Sequence, residues 1–241
     1  PRGEDNEAVF YGFSFDFKNL PDALSTANIH VVQVDQNADP GVGVGTSEDS
    51  EMRIGLNLGG EVAGVSYDVT YVTHSGEDST NDHDIAGSMY DVNVGYSLPD
   101  VMNLKFWVGM HVDSGDDDLA DTDEGGYDSF HYDTHNNAGL MDVFAWGNLS
   151  YNTVGFSLVP ADGLTVGFHY YMFSQTEEGD TITAGSNGST WSGAGDTAED
   201  DLGTEMDLVI DKKYGDDFSI RFRYGQFTPG DEFSGGAEDS Y

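Results

Sequence analysis

Apolar and polar side chains alternate with period two in about ten successive stretches of this chain, and that pattern restricts it to half-buried β-strands. In the first stretch Val9, Tyr11, Phe13, Phe15 and Phe17 share one face, with Gly12, Ser14 and Asp16 on the other. A second runs from Ile29 to Asp35. The next three set Met52, Ile54, Leu56 and Leu58 against Arg53, Gly55 and Asn57, then Val65 to Tyr71 against Ser66, Asp68 and Thr70, then Tyr90 to Tyr96 against Asp91, Asn93 and Gly95. The sixth is the clearest, with Leu104, Phe106, Val108, Met110 and Val112 opposite Lys105, Trp107, Gly109, His111 and Asp113. Further runs cover 149–159, 164–175, 202–213 and 218–228.

The connections carry a second pattern. After odd-numbered runs they are short or moderate: the Lys18–Ala27 region, Gly59-Gly60-Glu61, Ser97–Asn103, Pro160–Gly163 and Lys213–Asp217. After even-numbered runs they are long and polar: Gln36–Glu51, His74–Asp84, Ser114–Leu140, Gln175–Asp201 and Pro229 onward. Short links at one end and long links at the other are the habit of outer-membrane barrels. In lipid every backbone N–H and C=O must be paired, so strands span only as a closed sheet, apolar outside and polar within. The expectation is an all-β, antiparallel transmembrane β-barrel. Residues 1–241 would form a single outer-membrane barrel domain of about ten strands, truncated at both ends and part of a larger barrel. Tyr67, Tyr71, Tyr96 and Tyr224 suit the interfacial aromatic girdles.

Composition narrows the partners. Lys+Arg number 8 against 45 Asp+Glu, a formal net charge of −37, which repels nucleic acid and attracts cations. The 13 Tyr, 14 Phe and 3 Trp set the chain apart from acidic disordered segments. With no Cys there is no disulfide framework and no thiolate chemistry. No apolar run is long enough for a transmembrane helix, a test to which membrane strands are blind. The expected surroundings are the bacterial outer membrane, its lipid and lipopolysaccharide, with a homo-oligomer or an envelope complex as further partners.

Short motifs in a particular order add a resemblance. Asp113-Ser114-Gly115-Asp116 leads into Thr134-His135-Asn136-Asn137-Ala138-Gly139-Leu140-Met141-Asp142 and Phe144-Ala145-Trp146-Gly147-Asn148-Leu149. Leu202–Leu208, Tyr224–Asp231 and Met52–Tyr71 follow the same scheme. Together they resemble the alginate-export family of bacterial outer-membrane barrels over most of residues 52–231. The resemblance implies a passive conduit and, by family habit, a barrel of about eighteen strands. It also implies an arginine-rich lumen that attracts a polyanion, and here this sequence departs from the family.

Strand parity assigns Arg53, Lys105, Arg221 and Arg223 to the polar, pore-lining face, together with Glu205 and Asp207. Hairpin pairing is expected to bring Glu205 and Asp207 close to Arg223 and Arg221; the plainer reading is a salt-bridge ladder that only supports the wall. These cations are outnumbered by Asp16, Asp35, Asp68, Asp91, Asp113, Glu205, Asp207 and Asp211, inside or at the mouths, a balance that favours cations. The function expected is therefore a passive, porin-like channel for small hydrophilic solutes or ions, preferring cations. The alternatives are export of an anionic polysaccharide such as alginate, and a structural role in the cell envelope. No catalytic residue is proposed, and no cofactor. Asp113, Asp116 and Asp118 are weak candidates for loosely bound Ca²⁺, against the plainer reading of acidic loops as a solvated face. His131, His135, Asp133 and Asp142 form the densest cluster of catalytic residue types, but in a Gly/Asn-rich loop where His135 is expected to shape the turn.

Overall fold

The computed structural model describes residues 7–21, 23–37, 48–78, 82–129, 135, 138–182, 185, 200–215 and 217–230. Its strands are β1 (Glu7–Asp16), β2 (Thr26–Asn37), β3 (Glu48–Val62), β4 (Val65–Asp78), β5 (His83–Leu98) and β6 (Leu104–Asp113). They continue with β7 (Asp123–Glu124), β8 (Leu149–Ala161), β9 (Leu164–Gln175), β10 (Asp201–Tyr214) and β11 (Phe218–Pro229). The long strands form one antiparallel sheet in chain order, β1-β2-β3-β4-β5-β6-β8-β9-β10-β11, while the two-residue β7 pairs in parallel with β5. Every alternating run in the sequence is one of these strands. Among the described residues β1 and β11 are the two edges, so the sheet is open.

The links at one end are hairpins. Val62 pairs with Val65 across Ala63-Gly64, where φ is +52° and +84°; positive φ at both central residues is what a tight hairpin between right-twisted strands requires. At the other end one expected link differs. His74–Asp84 is not a long loop, because β4 continues to Asp78 and β5 already begins at His83. Backbone pairing there outlasts the apolar alternation: a strand needs lipid-compatible side chains only over the bilayer's depth, and its ladder continues in water.

Register carries the apolar side chains to one face. Tyr67, Val94, Val108, Val154, Tyr170 and Met206 are successive cross-strand partners in one row. Beside it runs Tyr96, Phe106, Phe156, Phe168, Leu208 and Tyr224. Val108 is 56% exposed and Phe222 52%, an exposure that water would penalise and a bilayer would cover. The opposite face carries Arg53, His74, Asp91, His111, Thr153, His169 and Asp207 in the complementary register positions.

The core lies on this polar face, near the end where β6 stops and β8 starts. Val143, Phe144 and Leu149 pack with Tyr151, Phe173, Leu202 and Phe227 from β8 to β11. Of the connection between β6 and β8, Tyr127 and the residues from Ala138 to Trp146 therefore lie against this polar face of the sheet.

Candidate functional site

The inward segment is fastened at its start, its middle and its end. Ser114 N–H donates to Ser88 O (2.8 Å) and Tyr127 N–H to Ser114 O (2.9 Å). Asp84 N–H donates to Thr122 O (3.0 Å), beside the short β7 pairing. Arg53 Nε donates to Asp128 O (2.8 Å), while its Nη1 reaches Glu51 Oε2 at 3.0 Å. His74 Nε2 shares that same carboxylate oxygen at 3.0 Å. At the far end Asn148 and Glu177 exchange hydrogen bonds, Nδ2 to the Glu177 carbonyl (3.0 Å) and Glu177 N–H to Asn148 Oδ1 (2.8 Å).

The polar wall supplies two further anchors. His111, fully buried, has carboxylates at both ring nitrogens: Asp113 Oδ1 3.0 Å from Nε2 and Asp91 Oδ2 3.3 Å from Nδ1. Its ring lies between Trp146 of the segment (4.4 Å, 26°) and Tyr151 of β8 (4.8 Å, 11°). On β10, Glu205 Oε1 accepts from Met141 N–H (2.9 Å) and Asp207 Oδ2 from Leu140 N–H (3.1 Å). Gly139 allows the approach. Its φ is +89°, and a Cβ there would collide with the Glu205 carboxylate. The turn is closed by Asp142, which accepts from His135 N–H (2.7 Å) and sits 2.6 Å from His135 Nδ1. His135 does shape a turn; His131 and Asp133 lie outside the described residues.

These positions revise the reading of the charged residues. All six assigned to the inner face have that strand parity, but they do not form one ladder. The β10–β11 register sets Glu205 opposite Phe227 and Asp207 opposite Gly225, four residues along β11 from the Arg223 and Arg221 partners expected from sequence. Arg221 instead faces Asp211 and binds it, and Arg223 faces Val209. The physical cause is where the hairpin turns. Tyr214 pairs with Phe218, and that turn fixes every later pair. Glu205 and Asp207 are 0% and 2% exposed, so they hold the segment and do not face open lumen. Arg53 is equally covered, whereas Lys105, Arg221 and Arg223 remain exposed.

Asp113, Asp116 and Asp118 are not gathered around a common point. Asp113 is committed to His111. Asp116 Oδ1 accepts from Asp118 N–H (3.3 Å), and Asp118 Oδ1 from Ala120 N–H (3.2 Å). Among the described residues no group of three or more His, Asp or Glu is arranged to hold a metal ion. These aspartates satisfy backbone donors of their own loop instead.

Among the described residues, hollows lie between the segment and the wall, two of them well formed. The larger, about 530 Å³, is bordered by Trp107, Tyr127, Trp146, Tyr151 and Tyr171, with Asp91, Asn93, Thr70 and Thr153 between the rings. The smaller, about 280 Å³, runs past His135 and Leu140 to Asp211, Arg221 and Arg223. Tyr127 lies in the segment, outside the strands; burial, and secondarily the nearby Asp113 carboxylate, pushes its phenol up to about 12. Sequence parity missed this arrangement because it treats each strand alone. The apolar block Val143-Phe144-Ala145-Trp146, inside an otherwise polar connection, was the available signal.

An antiparallel sheet with an apolar band on one face and a segment packed on the other is consistent with a β-barrel family. A family model described as alginate export matches residues 2–240, essentially the whole chain. The chain belongs to the alginate-export family. A search of curated proteins finds no match. Family membership and the all-β sheet agree with the resemblance read from the motifs between residues 52 and 231. The Leu202–Leu208 motif of that resemblance lies on β10 and the Tyr224–Pro229 part of the other on β11, the hairpin that holds the inward segment.

Proposed function

We propose that this member of the family is a passive channel of the bacterial outer membrane, moving small hydrophilic solutes or ions with a preference for cations and without catalysis. The observation that carries the proposal is the two-faced sheet. Its apolar rows suit lipid, with lipopolysaccharide at the loop end, and its polar face holds a constricting segment. The preference rests on charge. Of the inward basic groups, Arg53 is walled in behind the segment and Arg221 is bound to Asp211. Asp16 and Asp68 are exposed on the wall, and the chain carries a net −37. Acid-lined pores select cations.

A second reading, export of an anionic polysaccharide, is favoured by the family and by the cleft that places Arg221 and Arg223 side by side. The reversal potential in a planar bilayer under a salt gradient separates the two. Cation selectivity unaffected by added oligouronate supports the channel reading. Anion selectivity with polymer block replaces it by the export reading. Neutralising Arg221 and Arg223 together is expected to raise cation preference; unchanged selectivity would remove them from the conducting path.

A further inference from the structure

The larger hollow differs from the rest of the inner wall in being paved with rings. The Trp107 indole lies over Gly155 of the neighbouring strand β8, occupying the space a Cβ would need, and His30 lies over Gly55 in the same way. Glycine at these two positions lets each ring settle against the sheet. Trp107 packs on His169 with ring centres 4.9 Å apart, and Tyr171 stacks on His169 from the next register position. Tyr127 and Trp146 close the hollow from the inward segment.

Its polar atoms are only partly satisfied by protein. Among the described residues Thr153 Oγ1 and Trp146 Nε1, on two residues that border the hollow, are buried without a hydrogen-bond partner. Buried polar groups are ordinarily paired, so such a set calls for a ligand or water that can pair with it. Asp91 and Asn93 supply the complementary acceptors; Asn93 Nδ2 already donates to Asp91 Oδ1.

We propose that this hollow is a binding station for an uncharged saccharide, with Trp107 as the surface on which a sugar ring stacks. It rests on the channel reading only for the route by which the saccharide arrives. A sugar offers apolar ring faces to the aromatics and hydroxyls that both donate and accept. A cationic amine only donates, so it would leave the Trp146 indole N–H unpaired. A uronate is disfavoured because among the described residues no Lys or Arg borders the hollow while Asp91 does. A purely apolar ligand would strand Asp91, Asn93 and Thr70 without water. The volume of about 530 Å³ falls in the range of small-molecule sites.

The test is isothermal titration of the folded full chain in detergent with hexamers of glucose (α-1,4 and β-1,4), mannose and N-acetylglucosamine. Oligoguluronate and spermidine serve as charged probes. Saturable binding of at least one uncharged hexamer is expected, weakened about tenfold or more by Trp107→Ala. Gly155→Ala keeps the tryptophan but displaces its indole, and is expected to weaken binding in the same direction. Should either variant fail to fold, protection of the wild-type tryptophans from N-bromosuccinimide by the bound hexamer reports the same contact. No binding of any uncharged hexamer, tighter binding of oligoguluronate or spermidine, or wild-type affinity in both folded variants would overturn the proposal. So would bound hexamer that leaves the tryptophans unprotected. Absence of conductance with saccharide binding intact would defeat the channel reading alone.

Discussion

Glu205 and Asp207 are carboxylates on a strand that sequence parity places in a pore, yet each accepts from a backbone amide of the same turn. Removing a buried acceptor costs the desolvation of the donor it leaves behind, about 1–3 kcal/mol. Glu205→Ala is therefore expected to loosen the turn at Met141 while the sheet survives. Limited proteolysis should cut near 140–141 faster than in wild type, with heat-modifiable migration in gels retained; an unchanged cleavage rate would show that the carboxylate does not hold the turn. Gly139→Ala should act in the same direction, since φ of +89° is strained for alanine and its Cβ meets Glu205. His111 makes a sharper case. His111→Ala strands Asp113, which is 0% exposed, beside Asp91, and breaking a buried pair costs about 3–5 kcal/mol. The double change His111→Ala with Asp113→Asn should recover part of that loss in urea unfolding from detergent. If the double variant is less stable than the single one, the imidazole matters for its ring stacking more than for its carboxylate partners.

At the scale of elements, the stretch from Ser114 to Asn148 is a connection by length and composition, but its Tyr127 and its residues from Ala138 to Trp146 are core by packing. Its Tyr127 gives it a pH dependence with a definite sign. The phenol is raised in the folded state to about 12 from an ordinary value of 10.0. A group raised on folding contributes stability that is fully present below its unfolded value and lost as pH climbs through its folded one. The segment should thus stay docked up to about pH 10 and loosen between there and pH 12. Tyrosinate absorbance at 295 nm, compared between wild type and Tyr127→Phe, should lose in the variant a component that titrates toward pH 12. An identical titration in both proteins would mean that Tyr127 is not shielded by the segment. The β10–β11 hairpin teaches a related lesson: its turn sets the register, and so sets which charged residues meet.

For the whole molecule, the organising fact is that every strand turns the same kind of face outward. Val108 sits in the apolar row between Val94 and Val154. Replacing it with arginine puts a charge where lipid is expected, at about 2–4 kcal/mol near the bilayer midplane. Val108→Arg should lower the stability of protein refolded into lipid vesicles by that amount, whereas Ser157→Arg, on the inner parity, should change it little. Equal effects at both positions would mean that the outward face does not meet lipid. The open edges at β1 and β11 belong to this scale as well, since in a bilayer their backbone groups require strand partners.

The sequence by itself determined the strands, their order, the outward face and the family. Each of these is written in local terms: period-two hydropathy, turn residues such as Ala63-Gly64, and short motifs in fixed order. Only the tertiary structure decided that Tyr127 and the residues from Ala138 to Trp146 fold onto the polar face and that Glu205 and Asp207 hold the amides of Met141 and Leu140. It also decided that Arg221 meets Asp211 and that Trp107 settles over Gly155. Parity reports which face a side chain takes but not what comes to rest on that face. A two-residue difference in where a hairpin turns moves every partner beyond it by four, and a long polar connection carries no period from which its docking can be read. Those outcomes follow from burying Phe144 and its neighbours against the wall, a contact between segments that no single strand encodes.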